Sequence, residues 1–101
     1  MKLGRKPTYD YDALMSAALR VAARKGYNVM SRADIADEAG CSPGLIPQYF
    51  GTMPQLRRKV MRAAVTRKDM TVLAQGLAAG DPHAKAAGHD DKRNALEALL
   101  V

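Results

Sequence analysis

Three times between Gly26 and Thr52 the chain sets a glycine and then, within a few residues, a serine or threonine: Gly26 and Ser31, Gly40 and Ser42, Gly51 and Thr52. Glycine closes a helix because it takes the left-handed conformation without a Cβ penalty. Serine and threonine open one because their side-chain oxygen accepts a backbone N–H of the first turn. A chain marked in this way is restricted to short helices joined by tight turns. The apolar spacing between the marks agrees. Tyr11, Leu14, Met15, Ala18, Leu19 and Ala22 recur at i, i+3, i+4 and predict a helix from Asp10 to Gly26, with Arg20, Arg24 and Lys25 off the stripe.

Ser31 with Asp34 forms a capping-box pattern ahead of a second helix, whose inward residues are Ile35, Ala36 and Ala39. Thr52 with Gln55 repeats the pattern ahead of a fourth, with Leu56, Val60, Ala63 and Ala64 on its stripe. Alanine, leucine, methionine and arginine dominate and β-branched residues are few, which predicts an all-α fold. With 101 residues the chain is expected to hold one small core. Its apolar runs are too short for a membrane span, and the first residues lack the apolar stretch of a signal peptide. The single Cys41 has no partner for an internal disulfide, which fits a reducing cytoplasm, and it is expected as a small buried side chain in a turn.

Charge gives the first functional indication. Residues 1–68 carry 13 Lys and Arg against 5 Asp and Glu, whereas residues 69–101 carry a slight acidic excess. A basic segment of this size suggests a polyanionic partner, nucleic acid being the commonest, although basic helices also serve as solvated faces.

Between Ser31 and Phe50 the order is helix, glycine turn, short helix, which is the helix-turn-helix arrangement. The second of these helices is expected over Pro43 to Phe50, with Ser42 as its cap and Pro43 at the first position, where the missing N–H matters least. Gly44 removes a side chain where another surface could approach. Pro47 is then expected beyond the first turn, where it would remove a hydrogen bond, crowd the Pro43 carbonyl and open the helix slightly. Phe50 supplies the anchor that holds so poor a helix in place.

The stretch "ALMSAALRVAARKGYNVMSRADIADEAGCSPGLIPQYFGTMPQL", Ala13 to Leu56, resembles the DNA-binding domain of TetR-type transcriptional repressors. "AARKGY", "ADIADEAG", "CS.G.I..YF" and "T..QL" carry the resemblance, over less than half the chain. The resemblance implies a phosphate contact from Tyr49, which matches the family. Pro47 stands where members usually carry an aromatic residue, Gln48 where many carry histidine, and Met53 where they carry lysine. It also implies a C-terminal bundle that dimerises and binds an inducer in a chain about twice as long. Here 33 residues follow Lys68, expected to make a small dimer interface and too few to enclose a ligand pocket of several hundred Å³.

The expected organisation is a basic arm over 1–9, the helix-turn-helix domain over 10–68 and a short helical dimerisation region over 69–101. In the last region Asp81 and Pro82 open one helix, and Asp90 or Asp91 caps another. Leu73, Leu77, Leu96, Leu99 and Leu100 are the candidate dimer contacts. The candidate DNA contacts are Arg5, Lys6, Ser31, Arg32, Ser42, Pro43, Gly44, Pro47, Gln48, Tyr49 and Thr52. Arg5 and Lys6 suit a minor-groove arm. Gln48 is the best base reader, since its amide can pair with adenine N6 and N7. Cys41, His83 and His89 lack metal-ligand spacing, no acid–base pair or nucleophile motif is visible, and neither an enzymatic activity nor a cofactor is expected. The function expected is a cytoplasmic homodimeric repressor on a palindromic operator in double-stranded DNA. Two alternatives stay open at this point: a structural or plasmid- or phage-maintenance DNA binder with little sequence preference, and a protein-interaction module on the same fold.

Overall fold

The computed structural model describes residues 9–99 and contains, among them, helices and no strand. The helices are α1 (Tyr11–Lys25), α2 (Arg32–Ala39), α3 (Leu45–Phe50), α4 (Met53–Arg67), α5 (Met70–Ala79), α6 (Pro82–Lys85) and α7 (His89–Ala98). The all-α class expected from the apolar spacing is what the chain adopts.

The local signals account for most boundaries. Asp10 caps α1, its carboxylate accepting from the Ala13 N–H at 2.7 Å. Both capping boxes form completely. Ser31 and Asp34 exchange hydrogen bonds at 3.1 and 2.9 Å, and Thr52 and Gln55 do so at 3.3 and 2.8 Å. Gly40 ends α2 in the left-handed conformation at φ 74°, and this turns the chain into the α3 segment. Lys68 takes the same conformation at φ 57° between α4 and α5, so the two run as separate helices, with Asp69 capping the second.

Two boundaries differ from expectation. The helix expected from Pro43 begins at Leu45, with Gly44 as its cap residue and no side chain capping it. Ser42 instead accepts the Gly44 N–H on its hydroxyl at 3.3 Å. Pro47 explains the shift. It has no N–H to offer the Pro43 carbonyl, so that carbonyl takes the Ile46 N–H at 3.2 Å, and the Ser42 carbonyl takes that of Leu45 at 3.0 Å. Both are i to i+3 bonds, a tighter turn leading into the α-helix. Counted from Gly44, Pro47 is the third residue of α3, inside the first turn whose N–H groups have no intrahelical partner. It is therefore not the interior proline that the sequence suggested. At the other end of the chain, α7 starts from Gly88, and neither Asp90 nor Asp91 caps it. Both lie in its first turn, where the helix dipole favours a carboxylate, and Asp91 accepts from Lys68 at 3.0 Å.

One core runs through the described residues, centred on Leu14, Ile35, Ile46, Phe50, Leu56 and Leu73, all of them sealed from solvent. Leu73 is a correction. Its position on an apolar stripe suggested a dimer contact, but α5 packs against α7, α4, α6 and α1, and Leu73 is fully buried within the same chain. Gly76 permits the close approach of α5. A Cβ there would meet the Met61 side chain at 2.6 Å and the Ala84 Cβ at 2.8 Å. Tyr27 fastens the turn after α1 to the C-terminal helices. Its N–H donates to the Gln75 side chain at 2.9 Å, Gln75 donates in turn to the Ala22 carbonyl, and the Tyr27 hydroxyl donates to Asp81 at 3.2 Å. Burial, and secondarily the Asp81 charge, push the Tyr27 phenol above its ordinary pKa.

Candidate nucleic-acid interface

α3 is only six residues long and is held by Ile46 and Phe50, both fully buried. Tyr11 of α1 covers the Phe50 ring at a centroid distance of 5.2 Å. With that side anchored, the opposite edge faces outward. Gly44 and Gln48 are exposed and one turn apart, as are Pro43 and Pro47, the first exposed and the second partly so. The best candidate base reader thus stands beside a position with no side chain.

The candidate hydroxyls share one arrangement. Ser31, Ser42 and Thr52 are exposed, and each accepts a single backbone N–H, from Asp34, Gly44 and Gln55 respectively. A hydroxyl that accepts keeps its own proton for donation outward, so these caps remain competent phosphate donors. Ser31, Arg32 and Pro43 also meet in one open groove, together with Met53 and Arg57 of α4. Thr52 immediately precedes α4.

Tyr49 is placed differently. It is half-buried, and its hydroxyl donates inward to the Tyr9 carbonyl at 3.0 Å. Its one donor is engaged within the chain, so the phosphate contact implied by the family resemblance requires that bond to be exchanged. Tyr9 in turn donates to the Gly40 carbonyl. This pair fixes Tyr9 beside the turn between α2 and α3, a contact that no local pattern announces. Arg5 and Lys6, the candidate arm contacts, lie outside the described residues, as does Leu100.

The electrostatics of the surface follow from which cations have partners. Arg20 and Arg24 of α1 hold Glu38 of α2 at 2.8 and 3.1 Å, and Lys25 holds Asp34 at 2.9 Å. The hydrogen bond from Arg20 is the main cause that keeps the Glu38 carboxyl below its usual pKa, and the one from Lys25 does the same for Asp34. Arg67 reaches Asp12 at 3.5 Å and Ser16 at 3.0 Å. Arg32, Arg57, Arg58, Lys59 and Arg62, by contrast, have no carboxylate within ion-pair distance among the described residues. Uncompensated positive charge therefore collects at the start of α2 and along α4. Arg57 was not among the residues singled out from the sequence. Its spacing of four from Met53 was the signal that could have placed it on the groove.

Of the candidate dimer contacts among the described residues, Leu77 is partly buried against the core, and Leu96 and Leu99 are exposed, at 50% and 55%. Leu96 lines an open groove on α7 with His89, Lys92, Arg93 and Glu97. Among the described residues no helix is long and apolar enough to cross a membrane.

Comparison with known proteins agrees with this geometry. Residues 14–60 match the family described as bacterial regulatory proteins, tetR family. The chain is similar to the HTH-type transcriptional regulator BetI of Rhizobium meliloti, 37% identical over 79 residues, which is 77% of this chain and 38% of that protein. It is similar also to the BetI regulator of Agrobacterium fabrum, 33% identical over 84 residues, covering 83% of this chain and 40% of that one. No solved structure matches it. The chain spans about two-fifths of the length of these relatives. Through the helix-turn-helix of residues 14–60, which ends within α4, the chain belongs to the tetR family of bacterial regulatory proteins.

Proposed function

We propose that the chain is a sequence-specific DNA-binding regulator that represses transcription as a homodimer on a palindromic operator. The observation that carries this reading is the outward edge of α3. Pro43, Gly44 and Gln48 project there beside cap hydroxyls that keep a proton to donate, and beside cations without an internal acid. A short helix with one amide reader and no bulky side chain one turn before it suits the major groove, and the hydroxyls and cations suit the flanking phosphates. A six-residue helix contacts too few base pairs to select one site, so two copies related by a two-fold axis are required, each reading a half-site. The exposed Leu96 of α7 and Leu99 at its end are the apolar surface for that pairing.

Selection of bound fragments from random DNA, followed by footprinting, tests the reading. One protected site with two-fold symmetry is expected. Gln48→Ala should relax the preference at a single base position in each half by about 1–3 kcal/mol. Protection spread evenly over unrelated fragments would instead indicate a structural DNA binder, and no protection at low salt would end the DNA-binding reading.

A further inference from the structure

Arg57 differs from the other cations of α4. It is largely covered, and its Nε is shut off from solvent with no hydrogen-bond partner. A buried donor left without an acceptor is unfavourable, and more so on a charged group. No carboxylate approaches it within ion-pair distance among the described residues. Asp81, the carboxylate beside Tyr27, accepts from the Tyr27 hydroxyl. The Arg57 charge acts weakly on the Tyr27 phenol, in the turn that leads into α2.

Arg57 opens onto the groove between α2 and α4. Met30, Met53 and Pro43 form apolar walls, while Ser31 and Arg32 stand at the start of α2. An anion in such a groove is partly withdrawn from water, so its attraction to the guanidinium is screened less than on an open surface. The planar fork of arginine matches phosphate oxygens, the Ser31 hydroxyl retains a proton to donate, and the exposed Arg32 adds charge at the rim. Pro43, where the α3 segment begins, also lines the groove. A strand whose phosphate entered it would pass directly beside the outward edge of α3.

We propose, on the reading that this face binds duplex DNA, that Arg57 and the Ser31 hydroxyl form a binding site for one backbone phosphate, which sets the register of α3 in the major groove. The positive charge that Met53 does not carry at the start of α4 is thereby supplied from one turn further along.

The test is a salt series of binding titrations with a labelled random-sequence DNA duplex, comparing the full chain with Arg57→Gln and Arg57→Lys. Loss of one phosphate contact should make the slope of log affinity against log salt shallower by about 0.9 in Arg57→Gln, and Arg57→Lys should recover most of it. A second arm needs no substitution. Duplex DNA should slow modification of Arg57 by phenylglyoxal in the unaltered chain, read by peptide mass mapping, while Arg67 reacts at the same rate with and without DNA. Normal binding by the full chain with an unchanged slope in folded Arg57→Gln overturns the phosphate site and leaves the DNA-binding reading standing. If Arg57→Gln does not fold, equal modification of Arg57 with and without DNA overturns it alone. A full chain that binds no duplex even at low salt overturns both.

Discussion

Replacing Pro47 with alanine separates two accounts of the recognition segment by their magnitude. If Pro47 were in a helix interior, its removal would restore a hydrogen bond and relieve a ring–carbonyl clash, together about 3 kcal/mol or more. The structure instead puts Pro47 in the first turn of α3, with the Pro43 carbonyl already occupied by the Ile46 N–H at 3.2 Å. Alanine then offers at most an exchange of that bond for a better one, about 0.5–1.5 kcal/mol if the turn rewinds fully. Against this, the unfolded chain regains the freedom that proline denied it, about 0.4–1 kcal/mol. The partly buried ring also loses contact area. The terms nearly cancel, so Pro47→Ala should change stability by less than about 1 kcal/mol, a melting shift below about 8 °C in a domain of this size. Urea and thermal unfolding of both proteins by far-UV circular dichroism measure it. Stabilisation of 3 kcal/mol or more would mean that Pro47 strains the helix after all, and that the tight turn at Ser42–Ile46 is not the relaxed form of the segment.

Three further outcomes follow from the packing and charge. Gly76→Ala should destabilise by about 1–3 kcal/mol in urea unfolding, because the Met61 thioether can swing aside but the Ala84 Cβ, 2.8 Å from the added methyl, cannot; the helix propensity gained by alanine offsets about 1 kcal/mol at most, and a stabilised variant would refute the close approach of α5 to α6. Glu38 titrates below its ordinary value of 4.5, so its contribution is present above that pH and is lost as the pH falls through the lower folded value; Glu38→Gln should therefore show a shallower loss of stability on acidification than the unaltered chain, and superimposable acid profiles would count against the Arg20 and Arg24 pairing. Replacing Leu96 and Leu99 together with aspartate should leave the fold intact and give a monomer with much weaker operator binding, whereas light scattering that finds the unaltered chain monomeric both alone and on DNA would exclude α7 as the dimer surface.

The parts of this fold that local chemistry decides are visible in the residues themselves. Ser31, Thr52 and Asp81 cap helices where the sequence says they should, because a cap needs only the N–H groups two or three residues ahead. Leu73 shows where that kind of reasoning stops. An apolar stripe states that something covers it, and only the tertiary arrangement decides whether the cover is other helices of the same chain or a second copy. The start of α3 fails for a related reason. Pro43 suits the first position of a helix, but the bond that Pro47 cannot make transfers the true start to Leu45, an effect acting backwards along the chain.

Charge illustrates the same divide on the functional side. Residues 1–68 advertise 13 basic side chains to any polyanion, and composition treats them as equivalent. Folding removes that equivalence. Arg20, Arg24 and Lys25 turn toward carboxylates of α2, Arg67 reaches back to Asp12, and Lys68 crosses to Asp91. Arg57 and Arg58 are neighbours in sequence, yet the advance of about 100° per helical residue points one into the groove beside Ser31 and the other to solvent. Net charge therefore overstates the cations available to DNA. The number of phosphates engaged should follow the cations left without an internal acid, so the salt dependence of binding should fall when Arg57 is neutralised and stay unchanged when Arg24, already paired with Glu38, is neutralised instead.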